Sequence, residues 1–291
     1  MRAPALVRAL RPRQWSKNLL VLAAPAAGAV LLDGPVLWRA LAAFAVFCAI
    51  SSATYLVNDV LDVEADRGHP RKRLRPIAAG EVGVGTAIAA AVVLGAGALA
   101  AAALVSRALL IVTVLYVAIS VVYSVWLKHV AILDLGAVAG LFLIRAIAGG
   151  AATGVYLTSW FLVVTSFAAL FIVTGKRISE IAMYEDAGIE PTRAVLAQMP
   201  RGVLQQISTI SATITIAAYA LWAFQRAYGS DLHSILFHAS AIPFTLVFLR
   251  YLLLVHRGDA EAPEHAVTSD RVLLGIVAVW AATFAAAVYV A

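Results

Sequence analysis

The chain has one cysteine, Cys48, so it can form no internal disulfide and offers no cysteine pair for a zinc site. Cys48 lies in an apolar run, where a thiol packs as a small hydrophobe. Charge is also scarce: 13% of the 291 residues are Asp, Glu, Lys or Arg, against 63% that are hydrophobic, and the mean hydropathy is +0.91. That balance excludes an ordinary soluble domain and describes a polytopic membrane protein. His233, His238, His256 and His265 show no spacing that pairs two of them as metal ligands. The glycines at 136, 140, 149, 150 and 154 follow no strand, so they form no nucleotide loop and serve close helix packing instead. The opening MRAPALVRALRPRQWSKN carries arginines through residue 13 and lacks an apolar core with a cleavage site, so no cleavable signal peptide is expected.

What is abundant is apolar length. Windows approaching the roughly 20 residues needed to cross a bilayer recur near 17–33, 36–60, 83–104, 107–127, 130–152, 158–178, 203–225, 232–255 and 271–290. The expectation is an all-α, polytopic membrane protein with about nine transmembrane helices, residues 1–291 making a single transmembrane domain. Residues 1–18 form a basic interfacial segment, with Leu6, Leu10 and Trp15 toward the apolar layer and Arg2, Arg8, Arg11 and Arg13 toward headgroups. Three longer polar loops, 61–82, 177–202 and 256–270, fall on one side. That side takes all but four of the 22 basic residues, the exceptions being Arg39, Arg107 and Arg226 opposite and Arg145 within a span. By the positive-inside rule the N-terminus and these loops are cytoplasmic, in a multi-pass plasma-membrane protein.

Residues 58–76, NDVLDVEADRGHPRKRLRP, crowd acid and base at the end of an apolar run. Asp59, Asp62 and Asp66 stand at i, i+3 and i+7, which places three carboxylates on one helical face. Like charges so placed repel unless a hard cation lies between them, and Mg²⁺ takes oxygen ligands together with substrate phosphates. The face therefore reads as a metal–diphosphate clamp, with Asn58 as a further oxygen or an orienting hydrogen bond. Arg67, Arg71, Lys72, Arg73 and Arg75 follow in a loop that Gly68 and Pro70 keep from being regular helix. They suit a phosphorylated substrate, although the positive-inside rule alone also accounts for them.

A second charged helix end reads GKRISEIAMYED, with Lys176, Glu180 and Tyr184 spaced along one face. Lys176 and Arg177 suit phosphate oxygens while Glu180 holds a metal or orients the lysine; a plain Lys–Glu pair is the simpler alternative. Arg145 sits alone in an apolar helix, and such a charge normally points into a polar cavity, which Lys17 and Asn18 are placed to reach. Interfacial anchoring is the competing role for Lys17. Tyr123, Lys128 and Asp134 read as residues of a short turn.

The Asn58-Asp59-x-x-Asp62-x-x-x-Asp66 pattern at the end of the second expected helix resembles the first acidic motif of the UbiA superfamily of intramembrane prenyltransferases. Aromatic prenyltransferases of that superfamily usually carry a second aspartate-rich motif on the sixth helix, where this chain has Gly175-Lys176-Arg177-Ile178-Ser179-Glu180. With RPRQWSKNLLVLAAP at 11–25, YLVNDVLDVEADRGHPRKRLRPIAAG at 55–80 and FLIRAIAGG at 142–150, it is similar to the branch that transfers phosphoribosyl groups to decaprenyl phosphate. The resemblance implies helices around a central cavity and Mg²⁺ held by Asp59, Asp62 and Asp66. It implies 5-phosphoribosyl 1-diphosphate as donor and a polyprenyl phosphate as acceptor. The product would be decaprenylphosphoryl 5-phosphoribose, for cell-wall arabinan synthesis. Lys17, Arg73, Arg75, Arg145, Lys176 and Arg177 are the candidate partners of the two anions.

An aromatic prenyltransferase and a transporter are the rival readings, the first opposed by Lys176-Arg177 and the second by the gathering of charge on one side. Membrane lipids are expected as surroundings, nucleic acid is not, and the sequence leaves open the prenyl length, Mg²⁺ against Mn²⁺, and assembly into a homo-oligomer.

Overall fold

Prolines shape the chain's first membrane segment. The computed structural model describes residues 4–69, 72–187, 198–227, 232–258 and 269–289. After a short helix α1 (Ala5–Ala9), a 3-10 helix runs over Pro12–Leu22 and passes into α2 (Ala23–Ala27). The first expected span, 17–33, is thus not a regular α-helix. Pro25 has no N–H to bond the carbonyl of Val21 four residues before it, so an uninterrupted α-helix would be missing a rung there. The tighter winding compensates in length, because about 2.0 Å per residue and then about 1.5 Å give about 30 Å over 12–27, the thickness of a bilayer's hydrocarbon layer.

A 3-10 helix repeats every three residues, and burial follows that period. Arg13, Ser16 and Leu19 are exposed, whereas Asn18 and Val21 are wholly buried. Trp15, in the same row as Asn18, donates its indole N–H to Ser52 Oγ at 3.0 Å.

Of the nine expected spans, eight are, among the described residues, helices long and apolar enough to cross a membrane. They are α3 (Gly34–Leu61), α5 (Val84–Val105), α6 (Arg107–Val125), α7 (Leu133–Thr153), α8 (Ser159–Ala187), α9 (Arg201–Arg226), α10 (Leu232–His256) and α11 (Arg271–Tyr289), with a short α4 (Val63–Arg67) after α3. The all-α, polytopic architecture read from the sequence is the one observed. α8 continues past the boundary expected near residue 178, so residues 177–187 are helix and not loop. Arg2, Arg71, Arg193 and His265, and parts of the loops expected at 177–202 and 256–270, lie outside the described residues.

The helices gather into two compact units, one of residues 1–127 and 144–156, the other of 128–143 and 157–291. In the first, α3 packs on α5, α6 and the 3-10 segment. Leu56 of α3, Ile77 of the following loop and Ala87 of α5 share a buried cluster with Ala9 of α1. The loop is thereby folded back onto the end of α3, a buried isoleucine contributing about 1.5–3 kcal/mol. A close backbone approach involves Gly149 on α7, where a Cβ would clash with the carbonyl oxygen of Val21. The carbonyl that Pro25 cannot bond is the one this glycine admits.

In the second unit α8 packs on α9, and α10 on both α9 and α11. Its centre is aromatic: Tyr219 stacks on Phe244 with ring centroids 3.8 Å apart, and Phe171 contacts Phe248 and Tyr251. The Tyr219 hydroxyl accepts from Trp280 Nε1 at 3.0 Å and pairs with Ser240 Oγ at 3.0 Å, so a buried polar atom is satisfied. Gly136, Ala139 and Gly140 of α7 leave an apolar cavity of about 250 Å³ against Ser166, Phe167 and Leu170 of α8. Asp270 starts α11, its Oδ1 accepting from the Leu273 N–H at 2.6 Å while Arg250 Nη2 donates to Oδ2 at 2.7 Å. The Arg250 bond and then the helix N–H hold the Asp270 carboxyl below the usual carboxylate range.

Two outcomes follow. Gly149→Ala should destabilise the detergent-purified protein by about 3 kcal/mol, seen as a lowered melting temperature. Gly136→Ala, which meets nothing within 4 Å, should not. Because the folded pKa of Asp270 is depressed, its contribution is present above the unfolded carboxylate pKa and disappears as pH falls through the folded value. The melting-temperature gap between wild type and Asp270→Asn should accordingly be open at pH 7 and close at pH values below about 4.

Candidate active site

Asp59 lies in the last turn of a 28-residue helix, where the helix dipole already places negative charge. The carboxylate is also buried, the residue being 3% exposed, so it requires cations close by. Two arrive. Arg11 Nη2 meets Asp59 Oδ1 at 2.5 Å, and Arg75 Nη1 meets the same oxygen at 3.1 Å. The same Arg75 nitrogen meets Asp66 Oδ2 at 2.5 Å, so Asp59 and Asp66 converge on one cationic atom.

Local structure explains the convergence. Asp62 caps α3 with φ −95° and ψ 8°, and α4 starts directly after it. The Asp62 N–H still bonds the Asn58 carbonyl at 2.9 Å and the Asp66 N–H bonds that of Asp62 at 2.8 Å, so helical winding carries through the hinge. Asp66, 3% exposed, stays beside Asp59. The loop after α4 turns back through a 3-10 turn at Lys72–Leu74, with the Arg75 N–H on the Lys72 carbonyl at 2.9 Å. Among the described residues no three His, Cys, Asp or Glu side chains form a group able to hold a metal ion. Of the three carboxylates expected to act together, Asp59 and Asp66 converge on Arg75, and Asp62 is half-buried at the hinge.

Arg11 was expected to face headgroups together with Arg8 and Arg13. Of the three only Arg13 is fully exposed. Arg8 pairs with Glu81, and Arg11 enters the acidic site, its guanidinium carbon 5.0 Å from the centre of the Tyr55 ring. Its backbone is left-handed, with φ 56° and ψ 57°, although Pro12 follows it and a pre-proline residue favours extended backbone. Ser52 fastens this turn by donating to the Leu10 carbonyl at 2.9 Å. Asn58 accepts the Ser124 hydroxyl at Oδ1, 2.5 Å away, which fixes the amide from α6.

Arg145 is 4% exposed and donates from Nε to Asn18 Oδ1 at 2.8 Å and from Nη2 to the Tyr116 hydroxyl at 2.9 Å. Asn18 in turn donates to Ser51 Oγ at 3.2 Å. Arg145 thus ties α7, α6 and the 3-10 segment together inside the first unit. Lys17, next to Asn18, is half-buried.

The second charged cluster lies wholly in the second unit. Arg177 grips Asp134 through Nε (3.0 Å to Oδ2) and Nη2 (3.2 Å to Oδ1), and its Nη1 donates to Glu180 Oε2 at 2.9 Å. Asp134 is wholly buried, so the residue expected to serve a turn is the counter-charge of a buried arginine. Lys176 and Arg73 are exposed.

The UbiA prenyltransferase family model matches residues 19–274. The chain belongs to that family. Among its UbiA relatives, the decaprenyl-phosphate phosphoribosyltransferase of Mycobacterium tuberculosis is 46% identical over 288 residues, covering 97% of this chain and 94% of the relative. The protein of the same name from Mycolicibacterium smegmatis is 42% identical, covering 98% and 92%. A UbiA homologue from Archaeoglobus fulgidus, solved with dimethylallyl diphosphate and Mg²⁺, aligns with a TM-score of 0.70 at 19% identity, over 97% of this chain and 98% of that one. The shared fold is the UbiA fold.

Arg11, Tyr55, Ser124 and Asp134 were not singled out by the sequence as parts of charged sites. Asp134 was named from the sequence as a turn residue; its pairing became legible only once Arg177 was seen to be buried and in need of an acid. Asp134→Asn should destabilise the protein by about 3 kcal/mol by leaving a buried guanidinium short of charge. Thermal melts should show the Asp134→Leu/Arg177→Met pair recovering most of that loss.

Proposed function

We propose that this protein transfers the 5-phosphoribosyl group from 5-phosphoribosyl 1-diphosphate to decaprenyl phosphate, releasing diphosphate. The observation that carries this reading is the near-full-length likeness, at 46% identity, to the mycobacterial enzyme bearing that name. The acidic pair supplies chemistry that fits it. Asp59 and Asp66 already converge on one cationic nitrogen, and Mg²⁺ is commonly held by one or two carboxylates plus substrate phosphates.

Asp59 and Asp66 would hold the metal, with Asp62 as the third carboxylate of the motif. A divalent cation there, Mg²⁺ in this reading, neutralises charge growing on the leaving diphosphate. Asn58, its oxygen taken by Ser124, orients the site and leaves metal binding to the carboxylates. Arg11 and Arg75 stand where the oxygens of a diphosphate would find guanidinium donors. As the bond from C1 to the diphosphate oxygen breaks, an oxygen of the lipid phosphate forms the new bond to C1. That phosphate is already anionic, so the attack needs no general base, and C1 inverts. Lys17, Arg73 and Lys176 are the candidate cations for the donor's 5-phosphate and the lipid phosphate. Arg145, committed to a buried network of the first unit, acts as a positioning residue there, whereas Arg177 and Glu180 are held in the buried network of the second unit around Asp134. The excess of basic residues beside the acidic motif supports placing these groups at the cytoplasmic face of the plasma membrane.

The test is to incubate purified protein with Mg²⁺, radiolabelled 5-phosphoribosyl 1-diphosphate and a polyprenyl phosphate, and to count label extracted into organic solvent. Transfer abolished by EDTA is expected. Transfer of a labelled prenyl group from its diphosphate to an aromatic acid, with none from the sugar donor, would instead make the chain an aromatic prenyltransferase. Asp59→Asn should lower turnover about 100-fold or more, the equivalent of about 2.7 kcal/mol, while the variant still elutes as folded protein; normal turnover would remove Asp59 from the site.

A further inference from the structure

Arg11 and Arg75 both place a nitrogen on Asp59 Oδ1. One carboxylate oxygen thereby serves two full positive charges, and Arg75 holds the second carboxylate, Asp66, with the same nitrogen. Any cation bound by this pair shares with the guanidiniums the charge of carboxylates they already hold, Asp59 through Oδ1 and Asp66 through Oδ2, and must do so beside two positive charges in a partly buried setting, where like charges repel strongly. A diphosphate changes the balance, because its oxygens accept from guanidinium N–H groups while its own negative charge screens the cation.

We propose that Arg11 is a positioning residue that competes with the metal for Asp59, so that the site accepts the metal together with a diphosphate and discriminates against the bare ion. This rests on the reading of Asp59 and Asp66 as a metal–diphosphate site. Arg11 fits the part because it is held in place on every side. Its left-handed backbone precedes Pro12, the Leu10 carbonyl before it is bonded by Ser52, and Trp15 after it is bonded to Ser52 as well. Backbone held in that region costs about 1–3 kcal/mol and persists where surrounding contacts fix it. The Tyr55 ring supports the guanidinium at 5.0 Å. Anchored in this way, the group exchanges a carboxylate oxygen for a diphosphate oxygen by a side-chain rotation, without moving the chain. The metal and the diphosphate then assist each other, each binding better once the other has come, as linkage requires.

The experiment measures Mn²⁺ binding to detergent-purified protein by electron paramagnetic resonance, with and without saturating inorganic pyrophosphate. Wild type should bind Mn²⁺ weakly alone and much more tightly with pyrophosphate. Arg11→Gln should raise the affinity for Mn²⁺ alone about tenfold and reduce the gain that pyrophosphate provides. Arg11→Lys, which keeps a charge but loses the planar fork, should raise it by less, and it decides the matter if Arg11→Gln does not fold. An unchanged or lower affinity for bare Mn²⁺ in the folded variant overturns the role of Arg11. Asp59→Asn should lower Mn²⁺ binding in both conditions; binding that ignores that change would overturn the metal reading itself, independently of Arg11.

Discussion

A carboxylate at the C-terminal end of a long apolar helix is opposed by burial and by the helix dipole together. Asp59 is such a group, and much of the first unit can be understood as the means of supplying it with counter-charge. The loop after α4 folds back through Ile77 and delivers Arg75. The chain before the first membrane segment adopts an unfavourable turn and delivers Arg11. Asp66 shares the Arg75 nitrogen, so two guanidiniums face two acids. Positive charge is thereby concentrated where a diphosphate would need it, and the groups that stabilise the acids are themselves suited to binding an anion.

The two units meet the problem of polar groups in an apolar setting differently. In the first, polar side chains are distributed along the helices: Asn18, Ser51, Tyr116 and Arg145 form a chain of bonds that fixes three segments. In the second, the aromatic centre around Tyr219 satisfies its hydroxyl with Trp280 and Ser240, and Thr174, Ser208, Ser211 and Thr215 are buried singly along the helices around it. Its buried charge includes Asp134 and Arg177, with Glu180 beside them, and the Arg250–Asp270 pair starts α11.

Spans and acids were legible in the sequence because both depend on local rules. Apolar windows of sufficient length marked α3 and α5 through α11, and the spacing of Asp59 and Asp66 survived the hinge at Asp62 because helical winding continues through it. The first span was misjudged in kind, since hydropathy registers length and not winding, and the influence of Pro25 depends on a carbonyl that meets Gly149. The charged partners were legible only in part. Arg75 lies within the motif's own loop, whereas Arg11 is 48 residues from Asp59 and reads, taken locally, as one of several interfacial arginines. Arg177 and Asp134, 43 residues apart, present the same difficulty. Ion pairs made across helices leave no periodic trace in either partner.

The 3-10 segment has a consequence for how this part of the chain tolerates change in length. Rows of residues three apart stay aligned, so the inward row, from half-buried Trp15 to buried Asn18 and Val21, and the exposed row through Arg13, Ser16 and Leu19 keep their faces along the whole run. Inserting or deleting one residue between them turns everything beyond it by a third of a circle, exchanging a buried row for an exposed one and moving the Val21 carbonyl away from Gly149. Only steps of three restore the alignment. The segment therefore behaves as a ratchet with three positions per turn, and its length can drift only in triplets while Arg11 and Asn18 both keep their partners.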